Sequence, residues 1–503
     1  MRKMSNIVYL PNGMEAVKAE YNEFPLEEFN QNPLIQALPP LDDKVTIIRK
    51  LTVKPFYKEE EKNTEVVYRL HMTNRLFQLF QPLPIHIDVW NMIHSLILQG
   101  YLARNPFDKD YKRYINQTGK EIITRTFDIN SRNNFRTTSS CGIFFGYSGM
   151  GKTTTINRIL SNIPQVIVHN EYKGVHFNQI QLVWLKLEAP SNSSLKALCY
   201  QFFMKIDEIL GTNNYRKYVS RNYSVDAMLP LISQVAHNIG LGLLIIDETQ
   251  NIKKRGADQI MNFFVYLINS GVNLCLIGTP GAYDLLGKEL RMTRRLTGNT
   301  EIIYNNMNYN AEFHFLLRTI WKYQWTKNHV SYNEKFGQLF YEETQGIPDL
   351  MVKLFVFSQQ EAIKKGIEKI SIRLIKKVAR EKFRLLQPML DAVRSGNPYK
   401  IAKYEDIRKI ELEIPTNGLE SEQENTRVII EKLNQVKQNE KVPKQTKSKV
   451  TKNDKTITGY KKGDLRYLLQ KGQEEEKTPY QVLFENNFID DMSIWKYWGE
   501  GHD

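Results

Sequence analysis

Cysteine is scarce in this chain: Cys141, Cys199 and Cys275 are the only three in 503 residues, at unrelated spacings among apolar neighbours. That excludes a disulfide framework or a cysteine zinc site and reads as buried thiols of a cytosolic protein. Long apolar runs are missing too. Leu243 to Ile246 with its flanks is only a handful of residues, far below the ~20 a membrane-spanning helix needs, so no membrane partner is expected. Met1-Arg2-Lys3 leads into polar sequence with no apolar stretch and no small-residue cleavage site, so a secretory signal is not expected and a cytoplasmic location is. No internal repeat of fixed period is found. What is present is ordinary globular material, 41% hydrophobic and 11% aromatic, which excludes a wholly disordered or fibrous chain and leaves room for about two to four domains.

Charge is abundant and uneven. There are 69 Lys and Arg against 55 Asp and Glu, a net +14. Lys432 to Lys462 alone holds ten lysines against Glu440 and Asp454, an excess of +8. That segment is also rich in Gln, Asn, Thr and Ser, and it reads as a solvated flexible linker. An electrostatic arm for DNA or RNA is the functional alternative. The excess elsewhere is modest, so nucleic-acid binding by the core needs a local argument.

Along the chain the hydrophobic pattern changes twice. The first hundred residues combine a strand-like stretch, Lys44 to Val53, with amphipathic helical stretches, one of which spaces Val89, Ile93, Leu96 and Ile97 along a buried face. From about 110 to 300, strand-length apolar runs alternate with helical segments: Gly142 to Phe145, Gln165 to Val168, Leu182 to Leu187, Leu243 to Ile246 and Val272 to Ile277. This is the pattern of a parallel α/β sheet. The strands then stop. Phe313, Leu316, Leu317, Ile320 and Trp321 fall at helical spacing, and further helices are expected near 335–345, 349–363 and 371–386.

Gly146-Tyr-Ser148-Gly149-Met-Gly151-Lys152-Thr153 matches G-x-x-x-x-G-K-[ST] in full, with a strand directly before it and a helix-forming stretch opening at Thr154. Backbone N–H groups at the start of such a helix wrap phosphates, Lys152 reaches the β- and γ-phosphates of ATP, and Thr153 ligates Mg²⁺. About a hundred residues on, Leu243 to Glu248 is a buried strand ending in two carboxylates, as a Walker B strand requires. Asp247 is expected on the Mg²⁺ side and Glu248 on the attacking water. The next strand ends at Gly278-Thr279-Pro280. Thr279 reads as a γ-phosphate sensor or, alternatively, as the N-cap of the following helix. Arg291, Arg294 and Arg295 crowd one stretch and read either as arginine-finger candidates or as a basic solvated face.

Together with an all-helical segment after the sheet, these motifs resemble an AAA+ ATPase. More closely the chain resembles the TnsC-type transposition regulators, related to the IstB and MuB ATPases. The residues that carry this are Gly146 to Thr153, Asp247-Glu248-Thr249-Gln250, Ile277-Gly278-Thr279-Pro280 and Thr344-Gln345-Gly346-Ile347-Pro348-Asp349. The likeness covers roughly 100 to 390. One departure is Asp349, which stands where such lids often carry a sensor arginine. The resemblance implies an AAA+ P-loop NTPase with a central parallel sheet, a helical lid, a small N-terminal domain and a flexible C-terminal tail. The expected boundaries are 1–105 for an N-terminal partner-interaction domain, 106–305 for the nucleotide-binding core, 306–395 for the lid, 396–479 for a charged linker and 480–503 for an aromatic partner-binding segment. It also implies ATP and Mg²⁺, homo-oligomeric rings or filaments on double-stranded DNA in the bacterial cytosol or nucleoid, a target selector of the TnsD/TniQ kind, and TnsA- and TnsB-like transposase subunits. The family's DNA contacts follow Walker B, where this chain has Lys253-Lys254-Arg255. Three consecutive cations suit phosphate contacts, a solvated loop being the alternative. Rival readings on the same motifs are a replication initiator or helicase loader, a DNA helicase or translocase, and a signalling NTPase.

Overall fold

The computed structural model describes residues 6–124, 138–219, 224–282, 300–401, 403–404 and 427–430. All of these fall in one compact unit, Met1–Asn439. The chain opens with a hairpin, β1 (Ile7–Tyr9) and β2 (Glu15–Lys18), then short helices α1 (Pro33–Gln36), α2 (Lys44–Leu51) and α3 (Val66–Thr73) and two longer ones, α4 (Pro84–Leu102) and α5 (Lys109–Thr124). Next come β3 (Cys141–Gly146), α6 (Lys152–Leu160), β4 (Val166–Tyr172), β5 (Val175–Leu182), β6 (Trp184–Glu188), α7 (Leu195–Leu210), α8 (Asn214–Tyr218) and α9 (Val225–Asn238). After them follow β7 (Leu243–Asp247), α10 (Lys254–Asn269), β8 (Asn273–Gly278) and β9 (Thr300–Tyr304). The chain then runs only through helices among the described residues: α11 (Ala311–Trp321), α12 (Glu334–Thr344), α13 (Pro348–Lys364), α14 (Ile372–Lys382) and α15 (Gln387–Ser395).

The central sheet has the order β6-β7-β8-β3-β9, and every pairing in it is parallel. Side chains alternate between its faces. Phe144, Leu243, Ile245, Cys275 and Ile277 enter one core with α4, α6 and the helices after β9. Ile143, Phe145, Leu244, Ile246, Leu274 and Leu276 enter the other with α7, α9 and α10. Burial on both faces explains why these strands read as continuous apolar runs, each large side chain stabilising the fold by roughly 1.5–3 kcal/mol. The three cysteines are buried and free, as expected. The fold is therefore α/β around a parallel sheet, with Val89, Ile93, Leu96 and Ile97 buried on α4 as their spacing predicts.

Three local expectations need correction. Lys44 to Val53 is not a strand: it forms α2, because Asp43 caps it by accepting from the Thr46 N–H at 3.0 Å and Ile47, Ile48 and Leu51 fall on one buried face. Its β-branched residues tolerate a helix whose tertiary contacts are satisfied. The run at Gln165 to Val168 is not in the central sheet. It belongs to β4, which pairs with β5 and β2 in a second sheet of order β1-β2-β4-β5. The run Leu182 to Leu187 divides at Val183 between the two sheets. β9 was not foreseen.

Candidate active site

The sheet's topology makes the site. β3, β7 and β8 are neighbours and parallel, so the segments that leave their C-terminal ends must meet at one edge of the sheet. From β3 the chain turns through Gly149 and Gly151, with φ of 83° and 85°, into α6. A side chain at Gly149 would meet both a positive φ and Ile347 Cγ2 at 2.9 Å, so the loop approaches the first turn of α13 as only glycine allows. The Asp349 N–H donates to the Gly149 carbonyl at 3.2 Å, closing that approach. Lys152 donates to the Gly146 and Tyr147 carbonyls, both at 2.8 Å. Its ammonium is thus folded back onto carbonyls of the loop.

Opposite the loop stands the end of β7. Thr153 Oγ1 donates to Asp247 Oδ2 at 3.0 Å, and the Glu248 N–H donates to Asp247 Oδ1 at 2.9 Å. Glu248 itself is left-handed, φ 56°, a conformation that costs a non-glycine residue of order 1–3 kcal/mol and clusters at functional sites. Gln250 Nε2 donates to Glu248 Oε2, while Gln250 Oε1 accepts the Thr279 N–H at 3.1 Å. One amide therefore links the Walker B carboxylate to the end of β8. The Thr279 hydroxyl is buried and has no hydrogen-bond partner among the described residues. It caps nothing, and the N-cap alternative is not what its side chain does.

Ser148, Gly149, Gly151, Lys152, Thr153, Thr154, Asp247, Glu248 and Thr279 all line one cavity of about 390 Å³. Gly146 backs the loop from behind, where a Cβ would strike the Tyr304 carbonyl at 2.2 Å. The cavity's other end is apolar and comes from residues that sequence reasoning placed elsewhere: Leu76, Phe80, Leu83 and His86 ahead of and in α4, and Leu316 and Val352 from α11 and α13. His86 accepts the Leu83 N–H on Nδ1 at 2.9 Å, and burial lowers its pKa to about 3, so it is a neutral ring carrying its proton on Nε2. Tyr304 is also in this wall, its hydroxyl pushed well above the usual range by burial. A polar cradle with orphan N–H donors at one end and an apolar slot at the other matches a nucleotide's two halves. The oxygen donors Thr153 and Asp247 fit Mg²⁺, which is held by one or two carboxylates together with phosphates and water.

Of the other expected residues, the structure describes only part. Lys253 is exposed ahead of α10, its N–H donating to Ser193 Oγ at 2.7 Å. Lys254 and Arg255 open α10, but their side chains lie outside the described residues, as do Arg291, Arg294 and Arg295. Asp349 lies in the cavity wall, ion-paired to Lys353 at 2.6 Å. Lys186 was missed, and for Gln250 the motif was quoted without a role; the one charge inside the apolar run Leu182 to Leu187 was the available signal for the first.

A protein-family model described as an AAA domain matches residues 135–286, the span from just before β3 to just after β8. No curated protein matches the chain. Solved structures similar to it include the Walker-type ATPase PABY2304 of Pyrococcus abyssi, 14% identical over 64% of this chain and 89% of that one, with a TM-score of 0.34. The Aeropyrum pernix ORC2 protein is 13% identical over 55% and 69%, with a TM-score of 0.33. The Aeropyrum pernix ORC1 protein, solved in complex with DNA, is 13% identical over 65% and 82%, with a TM-score of 0.31. Residues 135–286 are thus similar to an AAA domain, and they hold most of the parallel sheet of an α/β fold. Among the described residues, no helix is long and apolar enough to cross a membrane.

Proposed function

We propose that this protein is an ATPase that binds Mg²⁺-ATP in the cavity between β3, β7, β8 and the helices flanking them, and that it uses the nucleotide to assemble on double-stranded DNA as a TnsC-type regulator of transposition. The observation that carries the ATPase reading is the convergence of Lys152, Thr153, Asp247, Glu248 and Thr279 on one cavity whose far end is apolar. The adenine would occupy the slot between Leu83, His86 and Val352, and the phosphates would lie along the loop from Ser148 to Thr154. Thr153 and Asp247 would hold Mg²⁺, which neutralises charge on the β- and γ-phosphates. Glu248 would take up the proton of the water that attacks the γ-phosphorus while the bond to the bridging oxygen breaks, and Thr279 would steady that water or a γ-phosphate oxygen.

The transposition reading rests on the motif resemblance. In it Lys253, Lys254 and Arg255 touch DNA phosphates, one of Arg291, Arg294 and Arg295 reaches the neighbouring subunit's nucleotide, residues 1–105 and 480–503 meet the target selector and the TnsA- and TnsB-like subunits, and 396–479 is a tether. Two variants test it. Lys152→Ala should abolish nucleotide binding, hydrolysis and assembly. Glu248→Gln should bind Mg²⁺-ATP and accumulate assembled rings or filaments on DNA, seen by electron microscopy, without turnover. Equal nucleotide affinity in wild type and Lys152→Ala would sink the site assignment, and assembly that ignores DNA would favour a signalling NTPase.

A further inference from the structure

Asp247, the carboxylate assigned to the metal, already has a cation beside it. Lys186 Nζ lies 2.9 Å from Asp247 Oδ2, the same oxygen that accepts from Thr153 Oγ1. The ammonium is also held by Asn157 Oδ1 on α6 at 2.9 Å. The Asp247 side chain is 4% exposed and that of Lys186 18%. Nothing about this placement depends on a loose loop. Lys186 sits on β6, paired in register with β7, with Lys186 opposite Ile245 and Glu188 opposite Asp247.

A buried carboxylate with no counter-ion is costly, so Lys186 stabilises Asp247 in the conformation the site needs. On the proposed function Mg²⁺ would be held by the same carboxylate. A divalent ion held there and an ammonium in contact with Oδ2 would repel one another strongly in a partly dry site. We propose that Lys186 is an internal counter-ion of the metal site: it occupies Oδ2 in the metal-free protein and must leave it for Mg²⁺ to coordinate, so that it sets the Mg²⁺ concentration at which nucleotide is held. Lys186 is a positioning residue in this scheme, acting through Asp247, and Asn157 keeps its ammonium close for return when metal departs. The inference rests on the reading of the cavity as a Mg²⁺-ATP site.

The test is a Mg²⁺ titration of ATP binding, followed with a fluorescent ATP analogue on the full chain, with thermal melting in EDTA as a second readout. Lys186→Met removes the charge and should lower the half-saturating Mg²⁺ concentration about tenfold, while Lys186→Arg should stay within about twofold of wild type. In EDTA, Lys186→Met should melt below wild type, because Asp247 loses its partner, and saturating Mg²⁺-ATP should raise its melting point by more than it raises that of wild type. Lys186→Gln, which keeps a donor without charge, should shift the Mg²⁺ midpoint in the same direction and serves if the methionine variant does not fold. An unchanged or raised midpoint in the neutral variants, with ATP still bound, overturns the counter-ion role alone. Wild-type ATP binding that needs neither Lys152 nor Mg²⁺ overturns the site reading and this inference with it.

Discussion

The apolar residues of the cavity come from stretches more than 200 residues apart in sequence, and a buried ion pair joins α3, just ahead of the first, to the chain just after α13. Arg69 on α3 sends its two terminal nitrogens to Glu368 at 2.7 and 2.6 Å. It also donates from Nε to the Thr64 carbonyl at 2.9 Å and from Nη1 to the Trp325 carbonyl at 3.2 Å. The arginine is 1% exposed and the glutamate 14%, and α3 packs along α13. Glu368→Gln should therefore be expensive. Breaking one side of a buried pair costs about 3–5 kcal/mol; because two carbonyls still receive the guanidinium, about 3 kcal/mol is expected. Urea unfolding at pH 7 should show a lower midpoint at unchanged slope.

The same pair makes a pH prediction. The hydrogen bonds from Arg69, partly opposed by burial and aided by the Lys327 N–H, hold the Glu368 carboxyl below the usual glutamate range. A depressed folded-state value means that the contribution is complete above the unfolded-chain pKa of about 4.3 and is lost as pH falls through the folded value. The gap between wild type and Glu368→Gln should be full at pH 7 and should close under acid. Replacing both partners by methionine should recover much of the loss, since no charge is then stranded. A gap under about 1 kcal/mol at pH 7, or one of equal size at pH 7 and pH 3, would refute the argument.

Gly149→Ala adds a methyl where φ is 83° and Ile347 stands 2.9 Å away, and it should weaken ATP binding at least tenfold in a direct binding assay with the chain still folded; near-normal affinity would mean that the loop and α13 are not held together. Neutralising Lys253, Lys254 and Arg255 should weaken duplex DNA binding equally for all sequences and flatten its salt dependence by roughly 0.9 log unit per lost phosphate contact; an unchanged slope would move the contacts to another segment, most directly 432–462. Truncation after about residue 470 removes Tyr480, Phe484, Phe488, Trp495 and Trp498, the aromatic anchors of the proposed recognition segment, and on that proposal should leave ATP hydrolysis and DNA assembly near wild type while abolishing capture of a TnsA- or TnsB-like partner; loss of ATPase activity would show instead that this end packs on its own core.

How much of this was legible in the residues depends on whether the chemistry is local. A phosphate loop is one: strand, glycines, lysine and helix start are contiguous, so Gly146 to Thr154 could be placed from spacing, and Asp247-Glu248 followed from a strand that ends in acids. The helices after β9 were legible because Phe313, Leu316, Leu317, Ile320 and Trp321 share one face, and all five are buried. The apolar part of the cavity was not legible, because Leu76 to His86 carry no motif and meet the loop only through tertiary packing. Lys186 was hidden for a related reason. A strand's register, not its sequence, decides which neighbour a mid-strand lysine meets, and an apolar run invites its one charge to be passed over. α2 was misread because four β-branched residues in a row outweighed the Asp43 cap.

Two backbone tethers reach the cavity from different parts of the chain, and a third contact joins segments that flank it. Asp349 binds α13 to the phosphate loop through the Gly149 carbonyl. Tyr147, the loop's second residue, donates its N–H to the Tyr304 carbonyl at the end of β9. Arg69 and Glu368 fasten α3 to the stretch that follows α13. A ligand filling the cavity would meet Gly149, Asp349 and Tyr304 together, so its binding energy would be shared among contacts that no single element could form. By mass action a nucleotide at a hundred times its dissociation constant stabilises that closed arrangement by about 2.7 kcal/mol. That is comparable with the loss expected on breaking the Arg69–Glu368 pair. Because Leu83 and His86 at the start of α4, Leu316 on α11 and Asp349 and Val352 on α13 line the cavity beside the loop, a partner bound elsewhere on these helices would, on the proposed function, be coupled to nucleotide through the same contacts.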